Sequence, residues 1–306
     1  MADGPYKGVF PIVPTPFTAS GELDLASQRR VVDCMVDQGN DGVCLLANYS
    51  EQFALSDRER DTLLDVCMEQ LAGRLPAIVT CSHYATANAV ERARRAEGAG
   101  AAMLMMMPPY HGALLKADDA GVFEHFQAVA GAVTIPIMVQ DAPLSGVQLS
   151  VAFLSRLAGE LPAVSYLKIE APGTADKLRA LIAGAGDAID GPFDGEESIT
   201  LMADLDAGAT GTMCSAMLPD LIKPVVDSYL AGRRDDAAEQ YHRILPLINY
   251  ENRQCGLRAC KVIMKEGGVI ASDTVRHPFA PLAEPTRRGL LELARQLEPL
   301  ALGWAS

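Results

Sequence analysis

This 306-residue chain is notable first for what it lacks. No apolar run is long enough to span a bilayer, so a membrane protein is not expected. Its seven cysteines form no CxxC pair, and an odd count does not build a disulfide framework. A reduced, cytoplasmic compartment is the expectation. The opening "MADGPYKGVF" has neither the basic stretch nor the apolar stretch of a secretory signal. GxGxxG and GxxxxGK[ST] are both absent, and the glycines after Leu181 read as a helix terminus. The five histidines are dispersed with no HExxH, so no metal is expected. Basic residues are in deficit. The net charge of −13 argues against nucleic acid and anionic membranes as partners, but leaves a small anionic substrate open.

What is present is a rhythm of short β-rich runs and helical stretches. The expected strands are 8–13, 42–46, 77–80, 101–106, 136–140, 164–169, 187–190 and 211–215. Asp24 is placed to cap one helix and Gly39 to end it. Ser56 and Glu59 have the spacing of a capping box. The methionine run 103–107 reads as core rather than as a soft-metal site. Eight strand–helix units predict an α/β fold, a (β/α)8 TIM barrel over 1–218, in preference to an open doubly wound sheet. From Pro219 strand signals stop, and 219–306 reads as a C-terminal helical appendage.

The chemical signal is "SYLKIEAPG", Ser165–Gly173. Lys168 sits near the end of an apolar strand and Glu170 lies two residues on, which places both side chains on one face. Active sites of barrels lie at the C-terminal ends of the strands. Burial disfavours an ammonium and supplies the neutral amine that attacks a ketone.

Five segments carry a wider pattern, the lysine strand among them: "VPTPF" (13–17), "ANYSEQFALS" (47–56), "MPPYHG" (107–112), "LKIE" (167–170) and "GATGTMCS" (208–215). Together they resemble the dihydrodipicolinate synthase / N-acetylneuraminate lyase family of Schiff-base barrel enzymes, over nearly the whole chain. The combination of "LLANYSEQ", "IMVQDAP", "LKIE", "GPFDGEE" and "NYENRQ" resembles its 2-keto-3-deoxy-L-arabonate dehydratase branch.

That resemblance implies a hydro-lyase with no cofactor, acting on a small keto sugar acid and assembled as a homotetramer. It implies Lys168 as the Schiff-base amine, Glu170 as general base and Tyr110 as the aromatic at the rim. Asn48, Tyr49 and Ser50 would hold the substrate carboxylate. Gln140 would orient a hydroxyl or water, Asp194 and Ser215 would bind distal hydroxyls, and Gly191 would let backbone approach the ligand. Gln140 stands where the family usually has tyrosine. A neutral amide cannot relay a proton at neutral pH, which argues against retro-aldol cleavage. An aldolase of similar keto acids and a keto-acid-binding paralogue without turnover are the competing expectations.

Overall fold

The structure is a computed structural model and describes residues 5–111 and 115–305. The strands are β1 (Gly8–Val9), β2 (Val43–Leu45), β3 (Ala77–Thr80), β4 (Met103–Met106), β5 (Tyr110–His111), β6 (Leu115–Lys116), β7 (Ile137–Asp141), β8 (Val164–Ile169), β9 (Gly191–Asp194) and β10 (Gly211–Thr212). Eight of them form one sheet in the order β1-β10-β9-β8-β7-β4-β3-β2. Bridges from Ile12 to Cys44 and to Ser215 extend the parallel pairing beyond β1. This is the (β/α)8 barrel that the sequence pattern predicts. β5 and β6 form a separate antiparallel pair, and "MPPYHG" runs into it, its Gly112 lying outside the described residues.

The chain divides into two compact units. The first holds 77–195 and 200–212, and so contains β3 to β10. Its strands β3, β4, β7 and β8 are buried along their whole length. Strands covered on both faces read as continuous apolar runs, which is why Met103–Met107 packs as core. The second unit holds 8–76, 196–199 and 213–306. It contains β1, β2, the helices Leu25–Asp37 and Asp57–Leu71, and the C-terminal helices from Pro219 onward.

Local chemistry starts the helices as expected. The Asp24 carboxylate accepts from Ser27 N–H at 2.9 Å. Ser56 and Glu59 cap each other reciprocally at the start of Asp57–Leu71. His83 accepts from Ala85 N–H at 2.9 Å just before the helix Thr86–Gly98. No helix among the described residues is long and apolar enough to cross a membrane.

One strand lies elsewhere than expected. Residues 187–190 are a 3-10 turn and its exit, and the seventh barrel strand is Gly191–Asp194. Gly and Pro both disfavour strands, so local propensity pointed to the preceding residues. The neighbouring strand decides the matter. β8 pairs Tyr166 with Gly191 and Leu167 with Pro192, and only a residue without Cβ fits beside the Tyr166 ring and Thr210.

Candidate active site

Lys168 is held by strand alternation. Its registered neighbours are Gln140 on β7 and Phe193 on β9, so these three side chains share a face of the sheet. Only 2% of Lys168 is exposed. Its Nζ lies 2.5 Å from Glu170 Oε1, and Gln140 Nε2 donates to the same oxygen at 2.9 Å. Glu170 N–H donates to the Asp141 carbonyl at 3.0 Å, which fixes the backbone just past the end of β8. Gln140 Oε1 is buried and has no hydrogen-bond partner among the described residues. The amine, the carboxylate and the amide are thus one cluster. The carboxylate can take the ammonium proton and leave a nucleophilic amine, and the amide holds it in place while it does so.

Gly195 belongs to this cluster and was missed in the sequence. A Cβ there would lie 2.4 Å from Glu170 Cγ and 3.1 Å from Lys168 Cε. No local signal marks Gly195: only the pairing of β8 with β9 puts Phe193, two residues earlier, on the face that carries Lys168. Gly191, by contrast, opens β9 against Tyr166 and Thr210, so packing at the strand start requires it to be small.

Asp194 faces the other way. It is in register with Ile169, one position off the Lys168 face. Thr212 Oγ1 donates to its Oδ2 at 2.5 Å, and Thr200 Oγ1 donates to Asp204 Oδ2 at 2.6 Å. Burial, and then the Asp204 carboxyl beside it, raise the Asp194 pKa well above the ordinary carboxylate range. Asp194 therefore ties β9 to the helix Leu201–Asp206, which the sequence could not reveal without the register of β9.

The second unit carries the turn Asn48–Ser50, entered through Leu46 at φ 59° and left through Glu51 at φ 56°. Ser50 Oγ donates to the Val13 carbonyl at 2.6 Å and accepts from Ala47 N–H at 3.1 Å. Thr15 donates to the Ser50 carbonyl at 2.7 Å, and Asn48 Oδ1 accepts from Gln52 at 2.6 Å. Tyr49 is hydrogen-bonded to Glu197. Burial and then the Glu197 and Glu251 carboxyls push its phenol pKa up. Ser215 Oγ accepts from Met217 N–H at 3.1 Å, and the hydroxyl acts on the Glu251 carboxyl. Tyr110 opens the hairpin in the first unit, and burial raises its phenol to about 12. The structure so brings together Lys168, Glu170 and Gln140 in one unit, and Tyr49 and Ser215 in the other.

An ion pair anchors the turn. Lys261 and Glu51 are both fully buried and hydrogen-bonded to each other. Lys261 also donates to the Thr274 carbonyl at 2.8 Å and lies 4.4 Å from the centre of the Phe17 ring. Arg276 N–H donates to Glu51 Oε2 at 2.9 Å. Replacing Lys261 by methionine leaves Glu51 buried without its cation. The expected cost is about 3–5 kcal/mol, read as a lower urea midpoint in equilibrium unfolding. An unchanged midpoint would show that the pair contributes nothing to folding.

No group of three His, Cys, Asp or Glu side chains among the described residues is placed to hold a metal ion.

Comparison with known proteins accords with this geometry. An L-2-keto-3-deoxyarabonate dehydratase of Azospirillum brasilense is 56% identical over 300 residues, covering 98% of this chain and 97% of its own. A 4-hydroxy-tetrahydrodipicolinate synthase 2 of Streptomyces coelicolor is 30% identical, with 95% of each chain covered. The crystal structure of a dihydrodipicolinate synthase from Rhodopseudomonas palustris superposes with a TM-score of 0.86 at 28% identity, covering 95% of this chain and 97% of that one. The family model for the dihydrodipicolinate synthetase family matches residues 5–297. With a buried strand-end lysine and matches that span nearly its whole length, the chain belongs to the dihydrodipicolinate synthetase family.

Proposed function

We propose that this protein is a Schiff-base-forming hydro-lyase that converts 2-keto-3-deoxy-L-arabonate to 2-oxoglutarate semialdehyde and water. The observation that carries the reading is the cluster at the end of β8: a lysine 2% exposed, in contact with a carboxylate that an amide also holds. The relative from Azospirillum brasilense supports the substrate assignment.

The roles follow from the geometry. Lys168 adds to the C2 ketone, water leaves, and a protonated imine forms. That iminium withdraws electrons from C3, and Glu170, two residues along the same face, removes a C3 proton to give the enamine. The enamine pushes out the C4 hydroxyl, which departs as water after protonation. A proton then moves from C5, the resulting enol becomes the aldehyde, and hydrolysis of the imine frees Lys168. Gln140 orients Glu170 through its Nε2 and offers its unpartnered Oε1 to a substrate or water O–H.

The turn Asn48–Ser50 receives the substrate carboxylate through the backbone N–H groups of Asn48 and Tyr49, while the Ser50 hydroxyl, given to the Val13 carbonyl, holds the turn in shape. Ser215 takes a distal hydroxyl, and Tyr110 supplies the aromatic rim. By family resemblance the protein works as a homotetramer in the cytoplasm, in the breakdown of L-arabinose. The seven cysteines, all unpaired and buried, fit a reducing compartment.

Incubation with 2-keto-3-deoxy-L-arabonate tests the reaction. Semialdehyde with no pyruvate is the expected outcome. Pyruvate plus glycolaldehyde would replace the dehydratase with an aldolase, and no turnover at all would leave only a binding protein.

A further inference from the structure

The end of β7 carries an ion pair that the proposed chemistry does not use. Asp141, the last residue of β7, follows Gln140, and strand alternation turns its side chain away from the face that carries Lys168. The carboxylate is buried, and Lys177 Nζ lies 2.5 Å from its Oδ2. The same Nζ donates to the Leu149 carbonyl at 2.6 Å. One ammonium thus joins three pieces of the first unit: the end of β7, the segment 142–150 that follows it, and the helix Thr174–Ala185 that follows β8.

Helix formation does not explain this lysine. It lies in the first turn, where the backbone dipole disfavours a cation, and the helix starts from Gly173 at φ 76° with no side-chain cap. Packing does not explain it either. A cavity of about 640 Å³ separates the segment 142–150 from the segment 171–177, and Asp141, Ala142, Leu149, Ala171, Pro172 and Lys177 are among its walls. Where walls do not touch, polar contacts across the gap fix their spacing.

What Asp141 holds is the proposed base. Glu170 N–H donates to the Asp141 carbonyl at 3.0 Å, and the adjoining Gln140 donates to Glu170 Oε1 at 2.9 Å. Two contacts that place Glu170 beside Lys168 therefore come from consecutive residues of one strand end. Asp141 and Ile169 are the last registered pair of β7 with β8. Past that pair the chain leaves the sheet, so the strand end depends on its side-chain anchor.

We propose that Lys177 is a positioning residue for the proton-transfer step: by gripping Asp141 from the helix side of the sheet, it sets where Gln140 and the Asp141 carbonyl hold Glu170. The inference rests on the proposed Schiff-base reading, in which Glu170 removes a C3 proton. Loosening the anchor then slows proton removal and spares imine formation, because Lys168 stays on its own strand. A displacement of roughly 1 Å is enough to cost a catalytic group most of its effect.

Two measurements on each protein separate the steps. Borohydride with pyruvate counts the sites that form the imine, and exchange of the pyruvate methyl protons with deuterated water measures proton removal. Lys177→Met is expected to lower exchange per trapped site by ~10-fold or more, with trapping close to wild type. Lys177→Arg keeps a cation with donors for both acceptors, and the cavity has room for its longer side chain. Its exchange is expected to stay within ~3-fold of wild type. Both variants should fold, as circular dichroism checks, because the cavity lets water reach Asp141 when the ammonium is gone.

The inference is overturned if folded Lys177→Met exchanges at the wild-type rate per trapped site, whether or not trapping itself has fallen, since the lysine then only supports the fold. It is equally overturned if Lys177→Arg slows as much as Lys177→Met, or if neither variant folds. Absence of any trapped imine in the wild type would overturn the Schiff-base reading and this inference with it, and is recognisable because it strikes the unmodified protein. A Glu170→Gln variant that exchanges as fast as wild type would overturn the role of Glu170, and this inference with it, whatever Lys177→Met does.

Discussion

Lys168→Ala is expected to reduce turnover of 2-keto-3-deoxy-L-arabonate by at least ~10⁴-fold, because it removes the amine on which the proposed imine forms. Mass spectrometry after borohydride treatment should show an adduct on the wild-type protein at Lys168 and none on the variant. The fold should survive. The lysine is buried, and losing it costs packing, but the strand keeps its ladder to β7 and β9. Far-UV circular dichroism and the unfolding midpoint check this. The buried ammonium is compensated by Glu170, which keeps 14% of its side chain accessible and so can be rehydrated when its partner is gone. Residual turnover above roughly 1% of wild type in a folded Lys168→Ala protein would mean that the chemistry does not run through this amine.

The second large effect is expected at Glu170. Glu170→Gln keeps the size of the side chain and one acceptor oxygen, replaces the other oxygen by an NH2 donor, and removes the ability to accept a proton. Imine formation should continue, so the borohydride adduct with pyruvate persists. The steps after it should slow by about 10²–10⁴-fold, the usual contribution of a positioned base. Exchange of the pyruvate methyl protons with deuterated water isolates the step, since enamine formation is proton removal from C3. Exchange should be fast in wild type and nearly absent in Glu170→Gln. If the variant exchanged at the wild-type rate, the base would have to be sought elsewhere, and the contact with Lys168 would be an ion pair that merely shields the resting amine.

These two results separate because the two side chains act at successive steps. Lys168 and Glu170 share a strand face, and Gln140 reaches the carboxylate from the neighbouring strand at 2.9 Å. The period of two placed the first pair together from the sequence. The third contact needed the register in which β7 lies beside β8, which pairs Gln140 with Lys168. Nothing local in "MVQDAP" says which residue of another strand lies opposite.

The sequence by itself determined what short-range physics controls. Apolar runs of four to six residues made strands, Ser and Asp capped helices, and the loss of strand signals after Pro219 marked the C-terminal helices. It also marked Lys168 as out of place in an apolar strand. Tertiary structure alone decided the rest. The seventh strand fell on Gly191–Asp194 against local propensity, because β8 offered hydrogen bonds and a space that only glycine fits. That register turned Asp194 away from Lys168 and brought Gly195 toward it. Glu251 looked like one acidic residue among many at the end of a helix. Its burial exists only after segments far apart in the chain have packed around it, and desolvation is a property of the assembled surroundings rather than of any stretch of residues.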